Sequence, residues 1–278
     1  MLASVAPCKR RIAYTLRKKA HAMTEVITLP WATLLATIPI MIFAGLVHGA
    51  LGLGFPLIAT PLIALFVDVR IAIVITLLPT AVVNLVSITS HGSIQSVAVK
   101  YMPLALASFL GSLLGTAVLA VTDAEIFRLL LALLILCFLW TQTQDKLPTR
   151  WLQINRTVLL IIVGLMAGFA GGTTNVMVAI LLIYFLAAAV ARAEMVAALN
   201  LCFLVGKISQ IAVFFITGLV SFVLLLKTLP LAACALGSLI IGQRLGSRIP
   251  QERYKRWLMY LLAILATILI AQFTSQVI

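Results

Sequence analysis

The chain has 278 residues, 63% of them hydrophobic and only 10% charged. A soluble domain carries roughly 25% charged residues, so too little polar side chain is present to cover a water-facing surface, and lipid is the solvent over most of the chain. The net charge of +13 sits in short clusters between apolar runs, Lys9 to Lys19, Lys146 to Arg156 and Arg244 to Arg256. Without the run of interleaved aromatic side chains that a base-stacking platform needs, these clusters exclude nucleic acid as a partner and read as topology signals and contacts to anionic headgroups of the bilayer.

Residues 1–22 are basic, lack any acid and hold no long apolar run. They stand as a cytosolic tail, a targeting arm, or sequence upstream of a true start at Met23. Apolar segments follow near 31–50, 56–67, 71–90, 99–121, 125–142, 157–170, 175–190, 195–218, 223–243 and 256–273. A spanning helix needs about 20 apolar residues, so the expectation is an all-α integral membrane protein with about eight to ten apolar segments. The second segment of each half is short, as broken or re-entrant helices would be. The chain divides into a first membrane repeat at 23–140, a polar linker at 141–157 around Pro148, and a second repeat at 158–278.

The repeat rests on three matches in the same order. Gly45 to Gly52 matches Gly164 to Gly171 with three glycines in register. Met102-Pro103-Leu104 with Leu110-Gly111-Ser112-Leu113 matches Leu229-Pro230-Leu231 with Leu236-Gly237-Ser238-Leu239. Ala124 to Arg128 resembles Gln251 to Lys255. Two halves of similar hydropathy are a recurrent construction of secondary transporters. An odd number of crossings per half would invert one half relative to the other. A cytoplasmic linker also places the Arg244–Arg256 cluster inside and Asp123 and Glu125 outside, and a start at Met23 removes the conflict with a basic external tail.

Two glycine-rich breaks, Gly45 to Pro56 and Gly164 to Asn175, are the first candidate site. Gly49, Gly52 and Gly54 precede Phe55-Pro56; Gly168, Gly171 and Gly172 precede Thr173-Thr174-Asn175. Glycine permits sharp turns, proline suits the first turn of a helix, and Thr173, Thr174 and Asn175 are expected to cap the helix that follows. A helix starting inside the membrane aims free N–H groups at an anion. The competing reading of the same glycines is close helix packing. Lys207 lies deep in its segment with no acid to pair it; an anionic substrate would supply the charge, or the lysine reaches an aqueous vestibule. The isolated polar residues His48, Asn84, Ser87, Asn200, Ser209 and Gln210 are ligand contacts or interhelical hydrogen bonds, with a proton relay a further reading of His48.

The four cysteines, Cys8, Cys137, Cys202 and Cys234, form no metal or disulfide pattern. No catalytic motif, in-membrane carboxylate pair or P-loop occurs, so neither an enzyme nor a cofactor is called for.

Phe43 to Gly54 resembles the opening motif of the TauE/SafE family of sulfite-exporter-like membrane proteins. Gly164 to Asn175 with Arg192-Ala193 resembles its second-half motif, and Gly111 to Gly115 fits as well. The resemblance implies a secondary transporter of a small anion, often sulfur-containing, such as sulfite or an organosulfonate. Phe55-Pro56 and Thr173-Thr174 depart from the family pattern where substrate should bind. The expected location is the bacterial cytoplasmic membrane, multi-pass, with oligomeric state open. An anion channel and a non-transporting assembly partner or sensor are the alternatives.

Overall fold

The computed structural model describes residues 30–90, 94–144, 149–246 and 251–277. The extension at 1–22, the start at Met23 and Lys146 of the linker lie outside the described residues. Every regular element among those described is helical: α1 (Trp31–Ala36), α2 (Ile38–Leu51), α3 (Phe55–Ala64), α4 (Val69–Ser90), α5 (Ile94–Lys100), α6 (Met102–Val121) and α7 (Ala124–Thr143) in the first half. The second half holds α8 (Arg156–Thr174), α9 (Val178–Ala187), α10 (Arg192–Ile216), α11 (Phe222–Lys227), α12 (Leu229–Gly246) and α13 (Gln251–Val277). Helix is forced here, because lipid offers the backbone no hydrogen-bond partner. Eight stretches are long and apolar enough to span a bilayer, counting α1 and α2 together. The chain is therefore a multi-pass membrane protein. At about 1.5 Å per residue, the ten-residue helices α3 and α9 reach only half of a core about 30 Å thick.

Small residues set the packing. A Cβ on Gly164, Gly168 or Gly172 would overlap Leu104 and Ala107, Ser108, and Ser112 with Gly115, respectively. Helices α6 and α8 therefore run parallel and in contact along their lengths. In the same way Gly45 meets Ala235 and Ser238, Gly49 meets Leu239 and Gln243, and Gly246 meets Ala50, making α2 and α12 parallel. Lipid tails are as apolar as the helices, so association depends on such close dispersion contact. Each contact joins one half to the other.

These directions fix where each helix begins. Arg156, opening α8, lies over the ring of Tyr101 at the head of α6 (6.0 Å), and the Tyr101 hydroxyl donates to Glu194 in the first turn of α10 (2.6 Å). The Tyr184 ring near the end of α9 lies 6.3 Å from Trp151, just before α8. So α8 enters and α9 returns to the same end as a re-entrant pair. That end carries Lys100, Arg150, Arg156, Arg192, Arg244 and Arg256; we call it the basic end. At the other end Arg70 Nε donates to Leu119 O (2.8 Å), Arg128 pairs with Glu125 and donates to Gln272 (2.6 Å), and Gln272 Nε2 donates to Leu65 O (3.1 Å).

The two breaks resemble one another in their helix ends and close contacts, and that likeness pairs residues one helical turn away from the glycine match read in the sequence. Helices α3 and α9 have equal length and follow left-handed residues, Gly52 (φ 82°) and Asn175 (φ 67°), that end α2 and α8. The contacts of Gly49 on α12 are those of Gly172 on α6. Gly45 therefore corresponds to Gly168, Gly49 to Gly172 and Gly52 to Asn175. The same offset, carried into α4 and α10, gives Asn84 the place in its half that Lys207 has in the other, and Ser87 that of Gln210.

Candidate functional site

At the second break α8 runs unbroken through Gly168, Gly171 and Gly172 to Thr174. The expected capping of the next helix by Thr173, Thr174 and Asn175 does not occur. Thr173 and Thr174 donate back to Ala170 O (3.0 and 2.8 Å), Asn175 is the left-handed residue that ends α8, and Met177 precedes α9 with no side-chain cap. Thr174 Oγ1 accepts only from Val176 N–H in the turn between (3.2 Å). Within helices, threonine hydroxyls bond the preceding turn, where they lose less than in an apolar contact.

Lys207 is buried and donates to Asn175 Oδ1 and Gln210 Oε1. An ammonium group only donates, so both amides must turn their oxygens to it and their NH2 groups outward. Asn175 Nδ2 then donates to Thr60 and Thr76 Oγ1 (both 3.0 Å), and Gln210 Nε2 to the carbonyls of Gly171 (3.1 Å) and Gly172 (3.2 Å). Thr76 passes its own proton to Ala72 O (2.9 Å). Among the described residues no carboxylate contacts Lys207; its charge faces neutral amide dipoles alone.

The first break is built differently. Gly52 (φ 82°) and Gly54 (φ 108°) take conformations open to few other residues, and Pro56 opens α3 as expected. The first free N–H of α3 is already taken: Phe55 N–H donates to His48 Nδ1 (3.1 Å), and His48 Nε2 lies 2.9 Å from Ser87 Oγ. With Nδ1 accepting, a neutral ring carries its proton on Nε2 and donates it to Ser87. Asn200 Nδ2 donates to Gly52 O (2.9 Å) and Val196 O (2.8 Å), while its Oδ1 is buried without a partner.

The two breaks do not meet at one level. Asn200 holds the first and Lys207 the second, and they stand two turns apart on α10, about 10 Å along its axis. Between them, on α4, lie Thr80 and Asn84, after Thr76 at the second break and before Ser87 at the first. Both are fully buried, and neither the Thr80 hydroxyl nor either amide atom of Asn84 has a partner. A buried polar group in that condition costs roughly 1–3 kcal/mol. Gly49 and Gly168 lie at helix contacts, not in the breaks. Ser209 bonds its own helix at Gly206 O (2.8 Å).

Sequence reasoning missed Thr60, Thr76 and Thr80. The spacing of Thr76, Thr80 and Asn84, one turn apart on an otherwise apolar helix, is the signal that marks this face.

A crevice of about 240 Å³ opens at the basic end, lined by Leu51, Leu53, Gln142, Leu186, Arg192 and Met195 among others. Their counterparts at the opposite end are Thr174, Val176, Leu269, Ile63, Val69 and Ala72, and all of these are buried. Among the described residues these six positions are thus accessible at the basic end and their counterparts buried at the other, with Lys207 buried between.

A polytopic helical bundle with two discontinuous helix pairs and an enclosed lysine partnered only by amides is the build of a membrane transport protein. The chain belongs to the sulfite exporter TauE/SafE family, whose model matches residues 37–269, nearly the whole described bundle. No curated protein and no solved structure matches the chain.

Proposed function

We propose that the chain is a secondary carrier of a small sulfur-containing anion, sulfite or an organosulfonate, in the bacterial cytoplasmic membrane, and that it alternates access through two inverted halves. The observation that carries this reading is the buried Lys207 ammonium with only amide oxygens for partners. An isolated charge in low dielectric is costly unless paired, and an arriving oxyanion is a partner that offsets the cost. The anion would replace an amide oxygen at Nζ, with Thr80 and Asn84, and Asn175 and Gln210 once their present bonds rearrange, supplying hydrogen bonds, and the Gly52–Gly54 turn with Asn200 lining the path to it. The basic end faces the cytoplasm by the positive-inside rule.

Inversion supports alternation. If the halves exchange conformations, the counterparts now packed at the far end become the lining of an outward crevice. Single cysteines at positions 186 and 63, in a background with native cysteines replaced, test this with a membrane-impermeant thiol reagent. Leu186→Cys should label from the basic side and lose labelling on addition of sulfite, as Ile63→Cys gains it from the other. Unchanged labelling of both would contradict a carrier and leave the partner-dependent reading. Uncoupled labelling from both sides at once would favour a channel.

A further inference from the structure

The crevice at the basic end has a composition of its own. Of the ten described side chains that line it, eight are apolar (among them Leu182, Leu186, Met195 and Met259), one is the amide of Gln142 and one the guanidinium of Arg192, and none of these ten is an acid. Both halves contribute: Leu51 and Leu53 flank the first glycine turn, α7 supplies Phe138 and Gln142, and α9, α10 and α13 supply the rest. Arg192 is exposed, yet its Nη2 donates to Leu51 O at 3.3 Å, which holds the guanidinium beside the crevice wall. Glu194, two residues along, is engaged by Lys100 and by the Tyr101 hydroxyl. The other basic side chains of this end raise the local positive potential further.

We propose that this crevice is a second anion site, separate from Lys207, that takes an amphiphilic monoanion: its acid group lies against Arg192 and its apolar body along Leu182, Leu186 and Met195. A guanidinium presents paired donors that match the oxygens of a sulfonate, phosphate or carboxylate. Size points the same way. A volume of about 240 Å³ has room for about eight water-sized groups at roughly 30 Å³ each. Sulfite alone would leave most of the apolar wall unsatisfied, whereas a sulfonate with an alkyl chain of about four to six carbons covers it. The shared chemistry, an acid head on an apolar chain, belongs both to soluble organosulfonates and to anionic lipids. This site does not depend on the carrier reading, and its failure is separable from the failure of that reading.

The test is equilibrium binding of labelled hexanesulfonate to the full chain in phosphatidylcholine nanodiscs, with methanesulfonate, butanesulfonate and hexyltrimethylammonium as competitors. Competition should strengthen by about fourfold per methylene buried and be absent for the cation. Arg192→Gln should weaken binding at least tenfold, and Leu186→Trp, which fills the crevice without touching the charge, should flatten the chain-length dependence; melting of each variant checks its fold. Replacing a third of the phosphatidylcholine by phosphatidylglycerol separates the sources: displacement of hexanesulfonate assigns the site to a lipid headgroup, and undiminished binding assigns it to a soluble anion. Affinity independent of chain length, native affinity in Arg192→Gln, or equal binding of the cation would overturn the proposal. Sulfite counterflow measured on the same preparation reports on the carrier reading alone, since its absence beside chain-length-dependent binding leaves this site standing.

Discussion

Gly111→Ala and Gly237→Ala, made one at a time, should move stability in opposite directions. The two glycines sit in matching Leu-Gly-Ser-Leu stretches, so sequence gives no reason to separate them. In the fold, a Cβ on Gly111 would overlap Leu165 O and lie 2.9 Å from Phe169 N and 3.0 Å from Leu165 C, all backbone atoms of α8 that no rotamer can move. Restoring ordinary contact requires α6 and α8 to separate by about 0.5–1 Å. A gap of that size forfeits a quarter to a half of the dispersion energy of the facing atoms, and overpacking of this kind costs about 1–3 kcal/mol. Gly237 has no heavy atom within 4 Å of its would-be Cβ, so alanine there gains helix propensity of up to about 1 kcal/mol. The reason for the difference is register: the prolines Pro103 and Pro230 align α6 with α12, and in that alignment Ser238, not Gly237, stands where Gly111 does. Thermal unfolding of the purified variants in detergent, followed by a thiol-reactive dye, reads the difference as several degrees of separation in Tm. Equal shifts, or a larger loss for Gly237→Ala, would refute the packing assigned to α6, α8 and α12.

Other outcomes follow from the same geometry. Asn175→Ala should lose both the Lys207 contact and the left-handed turn, costing about 1–2 kcal/mol in backbone strain alone, whereas Asn175→Gly keeps the turn; both should lose substrate affinity and melt earlier than the native chain, the alanine variant earlier still by that strain. Tyr101→Phe removes a bond to a carboxylate and should destabilise by about 1.5–3 kcal/mol, read by the same melting assay. Burial first, then Glu194, holds the Tyr101 hydroxyl above its ordinary pKa of 10.0. A raised folded pKa gives stability that is complete below the unfolded value and lost as pH rises. Tm of the native chain should therefore fall above about pH 10 more steeply than that of Tyr101→Phe; parallel curves would contradict the assignment.

Helix number and the two short segments were legible in the sequence because hydropathy and length alone decide them in lipid. Pro56 opening α3, and Gly52 and Gly54 turning before it, followed from backbone preference. The glycine register did not, because glycines that turn a chain and glycines that pack helices look alike until their neighbours are known. Matching Gly45 to Gly164 placed glycine against glycine, while the fold places Gly52 against Asn175, a residue that also tolerates the left-handed turn. Lys207 stood out through its charge, and Gln210 and Asn200 through polarity in an apolar run. Thr60 and Thr76 did not, since threonine is common in such helices and becomes part of the site only when α3 and α4 carry it to Asn175. The separation of the two breaks along α10 is likewise a property of packing, invisible in one dimension.

The central claim is that Lys207 is the counter-charge for a transported anion, and counterflow of labelled sulfite in proteoliposomes, native chain against Lys207→Gln, tests it most directly. Two unit charges about 4 Å apart at an effective dielectric of about 20 attract by about 4 kcal/mol, so loss of the ammonium should weaken apparent affinity by about a thousandfold. Saturable exchange is expected in the native chain and none detectable in Lys207→Gln at the same protein amount. Native-like exchange in Lys207→Gln would contradict the claim.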